Sequence, residues 1–284
     1  MSIIKHKNNH IKPQSMKRCI KNSIAAVLIA SMLSACSNLA MDHSVCDLRV
    51  LSLQIPRQSQ DVVQYAGSLT VDNLKNSQEK FNQALAMVHK KYANHSGMDK
   101  MLKDGEAINA NIDLLVKHKS SIIAIQDLNI IIQDTILDIQ AEYNLLTDQM
   151  IRANYPSAQV IISKNQASIA DRFARSMKKI SEGDENVVYN IEDFWSDLDT
   201  FDTYLQAQLK GNAELGIERV KDAEMRQSLQ SIQEDYAKIL DHHEALDLLK
   251  KRDTLVAIYQ ATRENLTKSD EIFNSLSKLE SNTQ

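Results

Sequence analysis

Between residues 120 and 153 the apolar positions fall at Ile122, Ile125, Leu128, Ile132, Ile136, Ile139, Tyr143, Leu146 and Met150, stepping by three or four. Steps of that size lay every one of them on a single stripe of a 3.6-residue helix, so the segment reads as one long amphipathic helix with a bundle-type seam. Pro156 stops it, because proline disfavours a helical conformation at the preceding Tyr155. Further breaks stand at Ala66-Gly67-Ser68, Asn94 to Gly97, Glu182-Gly183-Asp184, Gly211-Asn212 and His242-His243. Between them the pattern predicts eight helices, near 42–66, 70–94, 98–118, 120–153, 157–182, 185–210, 219–241 and 246–280. Gly183 reads as a helix stop and Asp184 as the next N-cap. Pro56 lies inside the first helix and should kink it by removing a backbone hydrogen bond.

Four of these helices precede Pro156 and four follow it. The expected fold is therefore all-α, with two tandem antiparallel four-helix bundle units over residues 36–153 and 154–284. A faint internal echo points the same way: Leu51-Ser52-Leu53-Gln54-Ile55 precedes Gly67 much as Ile169-Ala170-Asp171-Arg172-Phe173 precedes Gly183. Composition agrees with a helical reading. Six Gly and three Pro in 284 residues fall well below the roughly one in eight of an average chain, and sheets with their turns need more of both.

Charge is informative once divided along the chain. Residues 1–35 hold six of the 33 basic side chains and no acid, which leaves 27 basic against 37 acidic in the remainder. An acidic body repels phosphate backbones, so nucleic acid is not an expected partner. The basic start has a simpler source. Lys17-Arg18 and Lys21 lead into the apolar run Ser23 to Met32 and then Leu33-Ser34-Ala35-Cys36, the order of a secretory signal over residues 1–35, with Met16 an alternative start. The tetrapeptide resembles a bacterial lipobox, in which Cys36 would be lipidated and become the first mature residue. Ser37 after it would permit transfer to the outer membrane. An uncleaved N-terminal membrane anchor is the competing reading, since Ile24 to Met41 approaches the length of a span. With Cys19 removed and Cys36 lipidated, Cys46 should stand alone, without an intramolecular disulfide, as a small core residue or, less simply, as an intermolecular bridge.

The stretch Asp47-Leu48-Arg49-Val50-Leu51-Ser52-Leu53-Gln54-Ile55 resembles the signature that opens the periplasmic sensor region of PilJ-type methyl-accepting chemotaxis transducers of type IV pili. Ile139-Gln140-Ala141-Glu142-Tyr143, Ala170 to Phe173, Gly183 to Asn186, Gly211-Asn212-Ala213 and Asp222-Ala223-Glu224 continue the likeness in order across residues 42–280. The resemblance implies an extracytoplasmic helical sensor module, related to the nitrate-sensing domain of NarX-type histidine kinases. In that relative the first helices of two protomers pair, and an arginine from each contacts one anion. Arg49 is the matching arginine here, with Ser52 one helical turn on. Cys46 stands where the motif often has Gly, Leu53-Gln54 replaces its Gln-Arg pair, and Ala167 falls where a second arginine would lie. The chain also stops where such a transducer continues into its signalling half.

Other clusters carry plainer readings. His242-His243 between Asp241 and Glu244 has no His-x-x-x-His spacing and reads as a solvated loop, so no metal is expected. Arg172 with Asp171 and Arg175 reads as a surface salt-bridge cluster, and Trp195 with Phe194, Leu198 and Phe201 as bundle core. No nucleophile elbow, phosphate loop or dinucleotide fingerprint occurs, so neither an enzyme nor a cofactor is expected. The function expected is a lipid-anchored periplasmic sensory domain without its own signalling module, an accessory in type IV pilus-linked chemosensing. Its expected partners are a small anion or metabolite, a second copy through the first helix, and a pilus or chemoreceptor component. The alternative is a structural or interaction lipoprotein of the envelope.

Overall fold

A computed structural model describes residues 43–65 and 67–281. The expected export signal and Cys36 lie outside the described residues. Within them the chain forms nine helices: α1 His43–Tyr65, α2 Ser68–Tyr92, α3 Met98–Lys117, α4 Lys119–Arg152, α5 Ser157–Ser181, α6 Val187–Lys210, α7 Ala223–Leu240, α8 His243–Lys251 and α9 Asp253–Ser281. The fold is all-α, and among the described residues the one departure from helix and loop is an isolated bridge between Asn212 and Ile217. Seven of the eight expected helices are present with their boundaries nearly as read. The eighth, 246–280, is two helices, because Arg252 takes φ 32° and interrupts the run between α8 and α9. Neither glycine nor proline marks that break. The Arg252 guanidinium donates to Glu192 Oε1 at 3.0 Å, tying the turn to α6.

The packing regroups the helices. In one bundle α1, α2, α3 and α9 close a ring; in the other α4, α5, α6 and α7 do. The division expected at residue 153 therefore does not describe the packing: α4 leaves the first unit for the second, and α9 from the far end of the chain takes its place. The reason lies in the links. Only His118 separates α3 from α4, and only Arg252 separates α8 from α9. Reversing a helix to pack beside its predecessor needs a loop of about two to five residues, so α4 runs onward out of the first bundle instead of folding back.

Both bundles are cored as the periodicity anticipated. Leu48, Ile55, Val62, Leu74, Phe81, Ile108 and Ile112 are wholly buried in the first, and Ile132, Ile139, Tyr143, Phe173, Phe194 and Phe201 in the second. Where the bundles meet, Gln126 on α4 donates from Nε2 to Val63 O at 2.7 Å and to Ser181 O at 2.9 Å. Those are last-turn carbonyls of α1 and α5, which no intrahelical N–H can reach. One side-chain amide thus joins the ends of two helices from different bundles. At the end of α5, Gly183 adopts φ +72°, and Asp184 N donates back to Lys179 O at 3.1 Å. Asp184 does bind the next helix start, accepting from Asn186 N at 2.8 Å, although the first helical residue is Val187. A side-chain cap of the usual kind occurs at Asp222, which accepts from Glu224 N and Met225 N at 3.0 and 3.1 Å.

Candidate functional site

The motif helix α1 presents its residues in three directions. Leu48, Leu51 and Ile55 face the core. Asp47, Val50, Leu51 and Gln54 border a groove of about 350 Å³ shared with Lys80, Gln83, Ala84 and Met87 of α2. Arg49 turns toward α9, where its guanidinium carbon lies 5.3 Å from the centroid of the Phe273 ring, within range of a cation–π contact. Ser52 is 2% exposed, and its hydroxyl donates to Leu48 O at 2.8 Å. The structure thus does not bring Arg49 and Ser52 to one surface. The serine hydroxyl is occupied by its own helix inside the bundle, and the arginine packs against the partner helix of the same chain. Ser59 repeats the pattern, donating to Ile55 O at 2.9 Å and accepting from Asn265 Nδ2 of α9 at 3.0 Å. These contacts set α1 and α9 antiparallel, so the His43 end of α1 and the Ser281 end of α9 share one end of the bundle. Cys46 also departs from expectation: it is disulfide-bonded rather than a lone thiol, and its partner lies outside the described residues.

A charge cluster fastens α3 to α9. Asp104, 3% exposed, accepts from Lys100 Nζ at 2.8 Å and is 3.0 Å from Lys268 Nζ. Glu271 meets the same two ammonium groups at 2.6 and 3.1 Å. Hydrogen bonds from Lys100 and then Lys268 hold the Glu271 carboxyl down to about 2, while bonds to Asp104 and then Glu271 push both lysines above their ordinary range. Every donor in the cluster is matched by an acceptor, which suits a clamp rather than a ligand site.

The second bundle carries a buried polar relay. Tyr143 Oη donates to Gln208 Oε1 at 3.2 Å, Gln166 Nε2 donates to Tyr143 Oη at 3.2 Å and to Phe201 O at 2.8 Å, and Gln208 Nε2 donates to Ser163 Oγ at 2.7 Å. Burial pushes the Tyr143 phenol up despite the Gln166 bond, so it stays a neutral donor. On the surface Arg172 grips Asp197 through Nε and Nη2, and Arg175 pairs with Asp171. Phe194, Leu198 and Phe201 are core, with Trp195 half-buried edge-on to Phe194. His242 and His243 border an open groove with Asp127, Asp241 and Glu244. Among the described residues no group of three or more His, Cys, Asp or Glu side chains could hold a metal ion.

A cavity of about 380 Å³ opens where the bundles meet, lined by Leu53, Pro56 and Arg57 of α1, Glu182 and Gly183 after α5, and Tyr259, Arg263 and Leu266 of α9. None of these was singled out for chemistry from the sequence. No motif spans Arg57 and Arg263, which only the return of α9 brings together. What the cavity offers is recognition: two guanidinium groups, a phenol and an apolar wall.

No protein-family model matches the chain. It is 22% identical over 236 residues to AlkN of Alcanivorax borkumensis, named as a methyl-accepting chemotaxis protein, an alignment covering 80% of this chain and 35% of AlkN. It is 23% identical over 187 residues to Protein PilJ of Pseudomonas aeruginosa, covering 64% of this chain and 27% of PilJ. The chain thus spans about a third or less of the length of these relatives. Among the described residues no helix is long and apolar enough to cross a membrane.

Proposed function

We propose, from the premise that these residues form a PilJ-like domain, that the chain is a sensory module of pilus-linked chemosensing, held at the periplasmic face of the envelope by lipid on Cys36, whose sulfur, once lipidated, is not available to the Cys46 disulfide. The observation that carries this reading is the likeness to two chemosensory relatives over 80% and 64% of the chain. The fold supports it, because antiparallel α1 and α9 bring both ends of the described chain to one end of a bundle, which suits a module standing off a surface. A docking lipoprotein is the second reading, favoured by Ile130, Leu137 and Ile151 of α4. They are 56%, 67% and 56% exposed, and their spacing puts them along one line of the helix.

Deleting the gene in its host and measuring pilus-driven surface motility, with metabolic palmitate labelling of the complemented strains, tests the proposal. Wild type should take up label and restore the directional response; Cys36→Ser should do neither. Equal labelling of both removes the lipid anchor, and a response untouched by deletion removes the sensory role.

A further inference from the structure

The cavity between the bundles has the makings of a ligand site distinct from the Arg49 motif. Arg57 and Arg263 are exposed at its rim, and neither has an ion-pair partner among the described residues, although the acidic body of the chain supplies many carboxylates. Arg172, Arg175 and Arg252 do pair with carboxylates, while Arg57 and Arg263, like Arg152 and Arg219, do not among the described residues. Tyr259 is 4% exposed, and its hydroxyl has no hydrogen-bond partner among the described residues. The hydroxyl is not one of the sealed, unpartnered polar atoms of the fold, so its oxygen is reachable by water or a ligand, whereas the Tyr143 phenol of the other bundle is held by two partners. Nothing but burial acts on the Tyr259 phenol, which is pushed well up and stays protonated, a donor in waiting. The cavity is also shaped around that ring. A Cβ at Gly183 would come within 3.0 Å of Tyr259 Cδ1, so only glycine, which tolerates φ +72° as well, lets the α5 turn close against it.

The remaining wall is hydrocarbon. Leu53 and Leu266 are 41% and 53% exposed, beside Pro56. A wholly polar anion such as nitrate would leave that surface wet, and a dianion or polyanion would meet Glu182 on the same lining. The volume sits at the small end of ligand cavities.

We propose that this cavity binds a small aliphatic carboxylate, its head held by Arg57, Arg263 and the Tyr259 hydroxyl and its hydrocarbon laid on Leu53, Pro56 and Leu266. Guanidinium groups suit the bidentate, charge-assisted contact that a carboxylate offers. The chemistry is common to plain fatty acids and to aliphatic amino acids, whose ammonium group would meet Glu182. Because the cavity is walled by α1, α9 and the end of α5, its occupant bridges the two bundles. The binding claim is independent of the sensory proposal, which only gives it meaning.

Calorimetric titration of the purified full chain with the straight-chain series acetate to hexanoate, with L-leucine, and with sodium nitrate tests this. Binding should tighten along the series as methylenes are added, and nitrate should not compete. Arg57→Ala combined with Arg263→Ala should weaken it by about tenfold or more. Tyr259→Phe should weaken it by about threefold to fivefold while leaving the melting temperature in place, since the hydroxyl removed has no partner among the described residues. A preference for leucine that Glu182→Gln erases identifies the amino acid as occupant; the opposite preference identifies the plain acid. Absence of binding by every carboxylate, nitrate binding at the same site, or unchanged affinity in the double arginine variant overturns the proposal.

Discussion

The bundle of α4 to α7 is built from one unbroken stretch of chain, whereas the bundle of α1 to α3 waits for α9. The two also differ in what fills them. Aromatic rings dominate the contiguous bundle. Phe201 alone touches Tyr143, Phe173 and Tyr236 at centroid distances of 5.8, 5.7 and 5.2 Å, which brings all four helices to one side chain. The discontinuous bundle relies on aliphatic side chains, the Asn265–Ser59 bond and the Lys100–Asp104–Lys268–Glu271 clamp. Local contacts close at a small entropic cost, and contacts across most of the chain at a larger one. The contiguous bundle is thus the autonomous half, and the other is conditional on its C-terminal helix.

The sharpest way to break that comparison is to delete residues 253–284. Amides of α1 to α3 should then lose their protection in hydrogen exchange while α4 to α7 keep theirs; uniform loss in both would mean that the contiguous bundle is not autonomous. A smaller effect is expected from Phe201→Ala, which removes the ring shared by four helices. Denaturant unfolding should show a loss of about 3–5 kcal/mol, confined by exchange to α4–α7. Acid should act on the other bundle, and least of all. Glu271 is held to about 2 from an ordinary 4.5, so its contribution is complete above 4.5 and disappears as pH falls toward 2. The group is largely solvated, and the expected loss is on the order of a few tenths of a kcal/mol. It should appear as earlier exchange of α3 and α9 than of α5 and α6, and Glu271→Gln should abolish that difference.

Helix placement was legible, apart from the break at Arg252 that makes nine helices of the expected eight, because burial imposes a period on the sequence, and the core residues follow from it. Connectivity was not, because a stripe says which face is buried and not which helix covers it. The one-residue link at His118 was visible as a break, yet its meaning depends on the distance needed to turn a helix around. The same distinction explains Arg49 and Ser52. Leu48, Ser52, Ile55, Ser59 and Val62 step by four and three, so Ser52 belongs to the inward stripe and Arg49 to its flank. Both serines bond the carbonyl four residues back, a local choice that lets a hydroxyl be buried. The cavity residues Arg57, Tyr259 and Arg263 gave no signal, because nothing in the sequence says that α9 returns to α1.

The exchange of helices between the two bundles has a consequence for cleavage. With single residues joining α3 to α4 and α8 to α9, the boundary between bundles offers a protease almost no extended chain. The longest described segment outside helices is instead 211–222, between α6 and α7. A cut there would leave one fragment carrying α1 to α6 and another carrying α7 to α9. Each fragment still supplies helices to both bundles, so the halves remain clasped like linked hands, and a nick in the longest described loop does not divide the molecule.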